Sequence, residues 1–251
     1  MELLQDIEHY WTNRAEGYSQ VNQEELAGDN KIHWLSELER HIPKEEKENL
    51  KILDIGTGPG FFSIILTKAG YRVTAVDYTE AMLEEAKKNA GELADKIEFR
   101  RMDAQNLEFE DEMFDVIVTR NLTWNLEKPV QAYQEWQRVL KKGGILLNYD
   151  ANWYHHLFDE EKRKEYEQDR ARVSETGMED HYTCTDIDAM EDIARQVPLS
   201  QRMRPQWDEQ VLRELGFSQI EIDMDVWKEV WSEVEKVNYG STPMFCVKGI
   251  R

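Results

Sequence analysis

Short apolar runs alternate with longer amphipathic segments through the middle of the chain. The clustering of aliphatic and β-branched residues predicts strands over 51–55, 71–76, 97–102, 114–119 and 145–149. The intervening segments predict helices over about 61–69, 79–90 and 129–140, with Thr79 as a helix-capping residue. Strands that alternate with helical segments of about ten or more residues are typical of a parallel sheet with crossover helices.

This alternation is absent from two parts of the chain. Residues 1–48 are polar and aromatic and predict a helical cover, whereas residues 151–206 are charged, rich in Tyr, His and Met, and predict helices without a strand. The alternating pattern resumes with a helix over about 207–215, a strand over about 217–226 and a last strand near 243–248. We therefore predict an α/β fold, a doubly wound and mostly parallel seven-stranded sheet, with a helical insertion after strand five.

A glycine-rich loop follows the first predicted strand, in the segment L-D-I-G-T-G-P-G at 53–60. Its glycines allow the backbone to approach a ligand, and the helix that follows offers unpaired N–H groups. Dinucleotide and flavin enzymes use similar loops, so the glycines alone do not identify the ligand. Asp54 precedes the first glycine by two residues. A carboxylate there would repel a pyrophosphate and attract the ammonium group of a methionyl ligand.

Two further aspartates lie at the ends of predicted strands. Asp77 ends the second strand, 17 residues after Gly60, where its carboxylate can accept both hydroxyls of a ribose. Asp103 follows the third strand, and with the backbone N–H of Ala104 it can contact an adenine edge. An aspartate at a strand end can also be a simple turn or cap residue. Three of them in order at successive strand ends favour a nucleoside site.

Residues 51–150 resemble the class I S-adenosylmethionine-dependent methyltransferases, in particular the ubiquinone and menaquinone biosynthesis group. The matching segments are L-D-I-G-T-G-P-G (53–60), V-T-A-V-D-Y-T-E-A-M-L (73–83), M-D-A (102–104), F-D-V-I-V-T-R-N-L-T-W-N-L (114–126) and E-W-Q-R-V-L-K-K-G-G (135–144). The resemblance implies a Rossmann-like methyltransferase fold, S-adenosyl-L-methionine as cofactor, and methyl transfer to a small-molecule acceptor by in-line displacement. It makes 1–48 a cover, 49–150 the cofactor-binding part, 151–206 a substrate lid and 207–251 the C-terminal part of the α/β domain.

The resemblance also implies which residues contact the cofactor. Arg120 contributes through its backbone, although its side chain could instead be a structural ion-pair partner. The expected contacts to the methionyl end, the ribose and the adenine are Tyr18, Asp54, Gly56, Thr57, Gly58, Gly60, Asp77, Tyr78, Met82, Asp103, Ala104, Arg120 and Asn121.

The acceptor is expected at the carboxyl ends of the strands, where open α/β sheets bind their ligands. The candidate substrate-binding residues are Tyr10, Trp11, Trp124, Asp150 and Trp153, although Tyr10 and Trp11 could instead be packing residues of an amphipathic helix. Some acceptors must lose a proton during transfer, whereas others need only alignment. The candidate catalytic residues for that proton are His155, His156 and Tyr154.

Charge and composition restrict the class of acceptor. The formal net charge of −20 and the absence of a basic stripe predict no nucleic-acid partner. The tetrapeptide Arg120–Thr123 stands where an Asn-Pro-Pro-Tyr motif would indicate methylation of adenine or glutamine. No run approaches the roughly 20 apolar residues that cross a bilayer, so no membrane association is expected.

Cysteine and histidine usage predicts neither disulfides nor a metal. Cys184 and Cys246 are far apart, which favours a reduced, cytoplasmic protein. The residues His155, His156, His181, Cys184, Asp186 and Asp188 lack the paired spacing of a zinc site. A monomer or homodimer is expected. Two other functions stay open at this point: a non-catalytic S-adenosylmethionine-binding module and an NAD-dependent oxidoreductase.

Overall fold

The computed structural model describes residues 3–182 and 185–251. Its seven strands are β1 (Lys51–Ile55), β2 (Arg72–Asp77), β3 (Glu98–Arg101), β4 (Phe114–Arg120), β5 (Leu140–Asp150), β6 (Ser218–Asp223) and β7 (Phe245–Ile250). They form one sheet in the order β3-β2-β1-β4-β5-β7-β6. Strands β1 to β5 are parallel, and β7 runs antiparallel to both β5 and β6. The predicted doubly wound, mostly parallel sheet is confirmed.

Helices cover both faces of the sheet and its carboxyl edge. They are α1 (Leu3–Ala27), α2 (Asn30–His41), α3 (Phe61–Lys68), α4 (Glu80–Ala90), α5 (Pro129–Val139), α6 (Glu160–Thr176), α7 (Ile187–Ala194), α8 (Gln206–Glu214), α9 (Trp227–Val230) and α10 (Glu233–Asn238). The short helices α9 and α10, between β6 and β7, are not part of the predicted pattern. In α10 the side chains of Ser232 and Glu235 each bond the other's backbone N–H, which closes a capping box. In the part of the chain that the structure describes, no helix is long and apolar enough to span a membrane.

The central strands are apolar on both faces because each face of the sheet is covered. On one face Trp34, Phe62 and Tyr149 pack edge to face, with ring centroids 5.0–5.9 Å apart. On the other face Tyr133 and Trp136, both from α5, pack together. The chain order reverses between β1 and β4, because β1 continues to β2 on one side while β4 continues to β5 on the other. Such a reversal opens a crevice at the carboxyl ends of the strands.

A third apolar cluster holds the N-terminal helix over this crevice. Ile7 and Tyr10 of α1 pack with Trp124, which follows β4, and with Met190 and Ile193 of α7. Helix α1 therefore crosses the carboxyl edge of the sheet, in contact with the region between β5 and α8.

A buried cluster of charges joins that region to the sheet. Arg204 is fully buried and donates hydrogen bonds to Asp150, at the end of β5, and to Asp208 of α8, the latter at 2.8 and 2.6 Å. Asp208 also accepts a hydrogen bond from the Tyr133 hydroxyl at 2.7 Å. Burial raises the pKa of Asp150, and the charge of Arg204 opposes that shift. The guanidinium thus keeps two buried carboxylates compensated.

Replacing Arg204 by leucine should destabilise the protein strongly, because Asp150 and Asp208 would stay buried without their cation. We expect a loss of about 3–5 kcal/mol in the free energy of unfolding, measured by chemical denaturation. The matched control is Arg213→Leu in α8, whose partner is the partly exposed Glu209 and whose expected loss is about 0–1 kcal/mol. Equal losses in both variants would contradict this role of Arg204.

Candidate functional site

The first cavity lies at the carboxyl ends of β1, β2 and β4, beneath α1. Twelve of the sequence-predicted cofactor contacts line it, namely Tyr18, Asp54, Gly56, Thr57, Gly58, Asp77, Tyr78, Met82, Asp103, Ala104, Arg120 and Asn121. Gly60 does not. Gly60 is the N-cap of α3 and has a φ of +93°, and a Cβ there would lie 3.0 Å from the Cβ of Ala86 in α4. Gly60 therefore serves the packing of α3 against α4.

The glycine loop is pressed against the neighbouring strand. The backbone N–H groups of Gly56 and Thr57 both donate to the carbonyl of Val76 in β2, at 2.8 and 3.0 Å. Gly56 has a φ of +68°, and a Cβ there would lie 2.8 Å from Cδ1 of Leu122. The position requires glycine both for its backbone conformation and for the close approach of Leu122.

Asp54 holds this loop to the start of α3. Its Oδ2 atom accepts hydrogen bonds from the hydroxyls of Thr57 at 2.7 Å and Ser63 at 2.6 Å. Burial raises the pKa of Asp54, while both hydroxyls and the charge of Arg120 act in the opposite direction. The carboxylate therefore places negative potential at the floor of the cavity and also fixes the shape of the loop.

Asp77 closes the loop from the end of β2. It accepts the backbone N–H of Gly58 on Oδ2 and that of Thr79 on Oδ1, both at 2.9 Å. Burial raises the pKa of Asp77 to about 6, against these hydrogen bonds. Tyr18 of α1 lies opposite, and a Cβ at Gly58 would lie 3.6 Å from its ring. The cavity thus has a carboxylate on one side of the loop and an aromatic ring on the other.

Asp103 both stabilises a turn and lines the first cavity. It accepts the backbone N–H of Gln105 at 2.9 Å and the side-chain amide of the same residue at 3.1 Å, so it does stabilise a turn. It also lines the cavity next to Ala104, whose carbonyl accepts the indole N–H of Trp136 at 2.9 Å. Gln105 lines the cavity too, and the sequence pattern does not single it out.

The side chain of Arg120 forms the structural ion pair that the sequence left as an alternative. Its two terminal nitrogens donate to the two carboxylate oxygens of Glu25 in α1, at 2.8 and 3.0 Å. The guanidinium also lies over the rings of Phe61, Trp34 and Phe62, 4.6–5.4 Å from their centroids. Both side chains are close to nine-tenths buried. Helix α1 is therefore tied to the end of β4 by a bidentate pair.

Asn121 has an unusual backbone and a polar atom without a partner. Its φ is +58°, its N–H donates to the carbonyl of Tyr149 at 2.8 Å, and its carbonyl accepts the Trp124 indole at 3.0 Å. Within residues 3–182 and 185–251, its buried Oδ1 atom has no hydrogen-bond donor. A buried acceptor left without a donor costs about 1–3 kcal/mol, so it marks a place where a ligand N–H fits.

A second cavity adjoins the first, and Tyr18, Arg120 and Asn121 line both. Its other polar and aromatic lining residues are Glu24, Glu25, Asn30, Trp153, Glu179, His181, Trp231, Ser232, Glu235 and Tyr239. Several of these belong to the α9–α10 region that the strand pattern misses. The segment Ser232–Glu235 has the Ser-x-x-Glu spacing of a capping box, and this signal in the sequence could have revealed the helix.

The candidate catalytic residues line neither of these two cavities, and their catalytic role stays a prediction. Tyr154 packs on Trp124 with ring centroids 4.9 Å apart, and the Nδ1 atom of His155 lies 3.0 Å from the carbonyl of Ser200. His156 is 4% exposed and stacks on Tyr166, and burial lowers its pKa. After β5 the chain forms a short 3-10 helix over residues His155–Leu157, with Tyr154 as its N-cap.

The candidate substrate-binding residues are divided among three environments. The carboxylate of Asp150 is buried and accepts hydrogen bonds from Arg204 and from the backbone N–H groups of Trp124 and Ala151, and its substrate-binding role stays a prediction. Trp124 and Tyr10 lie in the apolar cluster beside the site, and the Tyr10 hydroxyl lies 2.5 Å from that of Thr185.

Two of the five candidates, Trp11 and Trp153, line the first or the second cavity. Trp11 lines the first cavity and donates its indole N–H to Asn125 at 2.8 Å, whereas Trp153 lines the second. Among the residues described, no group of three or more His, Cys, Asp or Glu side chains could hold a metal ion. Cys184 lies outside the described residues.

Comparison with known proteins identifies the central part of the chain. Residues 53–148 match the family model described as a methyltransferase domain. Over 98 residues the chain is 38% identical to the demethylmenaquinone methyltransferase of Clavibacter sepedonicus, covering 39% of each protein. Over 105 residues it is 34% identical to a phosphatidylethanolamine N-methyltransferase of Cereibacter sphaeroides, covering 40% of this chain and 51% of that one. The chain thus matches about half or less of the length of these two relatives.

A solved structure extends the likeness in fold to nearly the whole chain. The SAM-dependent methyltransferase of Aquifex aeolicus is 18% identical, has a TM-score of 0.55, and covers 91% of this chain and 96% of its own. At that identity the likeness establishes the fold. Together with the family match and the relatives, it supports the resemblance seen in the sequence: residues 53–148 match a methyltransferase domain, and this part of the chain is similar to a demethylmenaquinone methyltransferase.

Proposed function

We propose that the protein transfers a methyl group from S-adenosylmethionine to a small-molecule acceptor bound in the second cavity. The observation that carries this proposal is the junction of the two cavities at Tyr18, Arg120 and Asn121. One cavity has the donors and acceptors for a nucleoside and an amino-acid group. The other provides a separate compartment that opens onto the same place, as a two-substrate transfer requires.

The residues of the first cavity fit the cofactor. Asp77 has the position for the ribose, Asp103 and Ala104 that for the adenine, and the unpartnered Oδ1 of Asn121 can accept from the ammonium group of the methionyl end. The cofactor, when bound, supplies a methyl group on a positively charged sulfur. A nucleophile can attack the methyl carbon in line, with the sulfur as leaving group. The contribution of the chain is to hold the two reactants in alignment and keep water out.

The contacts of the glycine loop argue against a dinucleotide. A pyrophosphate binds such loops through their free backbone N–H groups. Here the N–H groups of Gly56 and Thr57 bond Val76, and that of Gly58 bonds the carboxylate of Asp77. Asp54 adds a second carboxylate beneath the loop. A non-catalytic cofactor-binding module would have no need of the adjoining second cavity.

The acidity of the chain supports a small acceptor over a nucleic acid. The formal net charge is −20, and the second cavity is itself lined by four glutamates. Phosphate backbones are repelled by such a surface. A cytoplasmic location and a monomeric or homodimeric state stay predictions from the sequence.

The first test of this proposal concerns the cofactor. S-adenosylhomocysteine should raise the melting temperature of the purified protein, whereas NAD at the same concentration should not. The physical reason is that the loop presents carboxylates rather than free N–H groups to a ligand. Stabilisation by NAD alone would favour an oxidoreductase and overturn the proposal.

The second test uses the raised pKa of Asp77. A pKa of about 6 means that Asp77 is largely protonated below that pH. The ionised form accepts ribose hydroxyls better, so S-adenosylhomocysteine should bind less tightly as the pH falls through 6, by up to about tenfold per pH unit. Asp77→Asn should weaken binding at neutral pH by about 1.5–3 kcal/mol and remove this pH dependence.

Titration calorimetry between roughly pH 5 and 8 measures both effects of this test. The control is Glu84→Gln, which removes an exposed carboxylate from α4 and should retain the wild-type profile. An unchanged pH profile in Asp77→Asn would show that another group is responsible.

The third test concerns residues 151–206, which we propose to act as a lid over the site. This region contributes Trp153 and His181 to the second cavity and contacts α1 through α7. Amide hydrogen exchange in 151–206 should slow when S-adenosylhomocysteine and an acceptor are both bound, because the lid then packs on occupied cavities. Equal exchange with and without ligands would make this region a fixed part of the fold.

A further inference from the structure

The lining of the second cavity combines carboxylates with aromatic rings. Glu24 and Glu25 come from α1, Glu179 from the segment after α6, and Glu235 from α10. Three chain segments that are distant in sequence therefore bring acids to one compartment, and Arg120 at the end of β4 adds a cation beside them. Such an arrangement sets a negative potential that depends on how the carboxylates are paired.

Arg120 does not neutralise the cavity, because its charge is already matched. Both of its terminal nitrogens are bonded to Glu25, so the pair is close to neutral as a unit. The remaining carboxylates are Glu24, Glu179 and Glu235. Burial lowers the pKa of His181, the other basic lining residue, which favours the neutral imidazole. The cavity therefore carries an excess of negative charge.

Glu235 is the best-positioned of these acids. The Ser232 backbone N–H and hydroxyl donate to its Oε2 atom at 2.7 and 2.8 Å, and the Asn30 amide donates to the same atom at 3.3 Å. Among the described residues, none donates a hydrogen bond to its other oxygen, Oε1. Burial and the nearby Glu25 raise the pKa of Glu235, as expected of a carboxylate that lacks its own cation. The capping box thus holds one carboxylate oxygen and leaves the second for a ligand.

Three aromatic rings form the other part of the lining. The Trp153 ring lies 5.2 Å from that of Tyr239 and 6.4 Å from that of Trp231, and the Trp231 and Tyr239 rings are 5.7 Å apart. Rings that pack on one another in this way form a rigid wall. Aromatic faces attract cations, and most strongly where water is excluded.

We propose that the acceptor is a small cationic amine without a phosphate or carboxylate group, held by Glu235 and Glu24 against the wall of Trp153, Trp231 and Tyr239. This inference rests on the proposed methyltransferase function and names its substrate class. An anionic group on the acceptor would meet the unpaired carboxylates and find no free guanidinium, because Arg120 is engaged by Glu25. A neutral quinol would pack favourably on the aromatic rings but would leave the carboxylates without a cationic partner.

Methyl transfer to an ammonium group requires one proton acceptor. An ammonium group has no lone pair, so one proton first passes from the acceptor nitrogen to the Glu235 carboxylate and then to solvent. The nitrogen lone pair forms the new bond to the methyl carbon while the carbon–sulfur bond breaks and its electron pair stays on sulfur. The positive charge of the sulfonium is thereby carried to the methylated ammonium, which the same carboxylates stabilise.

A cation and its neutral isostere provide the test. In the presence of saturating S-adenosylhomocysteine, titration calorimetry compares choline with 3,3-dimethylbutan-1-ol, which has the same shape without the charge. Choline should bind at least about tenfold more tightly. Glu235→Gln should weaken choline binding by about tenfold and leave the alcohol unaffected, because glutamine retains the capping box.

The matched control is Glu233→Gln, which removes an exposed carboxylate from the same helix outside the cavity and should bind choline as the wild type does. Glu24→Gln, at an exposed position of α1, is a second variant and should also weaken choline binding. Equal binding of choline and the alcohol, no choline binding, or equal losses in Glu235→Gln and Glu233→Gln would each overturn the inference.

An activity assay distinguishes failure of the proposed acceptor class from failure of the proposed methyltransferase function. Transfer of labelled methyl groups is measured with N,N-dimethylethanolamine and with 1,4-dihydroxynaphthalene as acceptors. Methylation of the amine supports the inference, whereas methylation of the quinol alone overturns it and leaves the methyltransferase function standing. If S-adenosylhomocysteine itself does not bind, the proposed function fails, and the acceptor class fails with it.

Discussion

The ion pair between Arg120 and Glu25 determines how the site is built. It joins the N-terminal helix to the end of the central strand β4, and both side chains are close to nine-tenths buried. A pair buried to this extent is costly to form unless its geometry is good, and here it is bidentate and flanked by three aromatic rings. Because α1 is held in this position, Tyr18 lies over the glycine loop and closes the first cavity.

The same pair lies where the two cavities meet. Arg120 and Asn121 line both of them, and the carboxylate of Glu25 faces the second. Because both terminal nitrogens of Arg120 are bonded to Glu25, Arg120 forms no ion pair with the other described glutamates of the second cavity. A contact that fixes the architecture thus also sets the electrostatic character of the acceptor compartment, and the two roles cannot be changed independently.

The sheet and the cofactor side of the site could be predicted from sequence because both depend on local patterns. Strand ends, glycines and the aspartates Asp54, Asp77 and Asp103 follow from short-range order, and the topology of a doubly wound sheet brings them to one edge. The acceptor side could not be predicted in this way. Glu235, Trp231 and Tyr239 come from short helices after β6, and only the tertiary fold brings them beside Glu24 of α1. His155 and His156 lie near the end of β5 in sequence but line neither cavity, because nearness to a strand end does not fix where the following side chains lie.

The structure of the protein crystallised with S-adenosylhomocysteine tests the central claim most directly, since it shows where the reacting sulfur lies. We predict the adenine beside Asp103 and Ala104, the ribose at Asp77, and the sulfur at the junction marked by Tyr18 and Asn121, facing the second cavity. A ligand bound with its sulfur turned away from that cavity, or bound outside the glycine loop, would contradict the account.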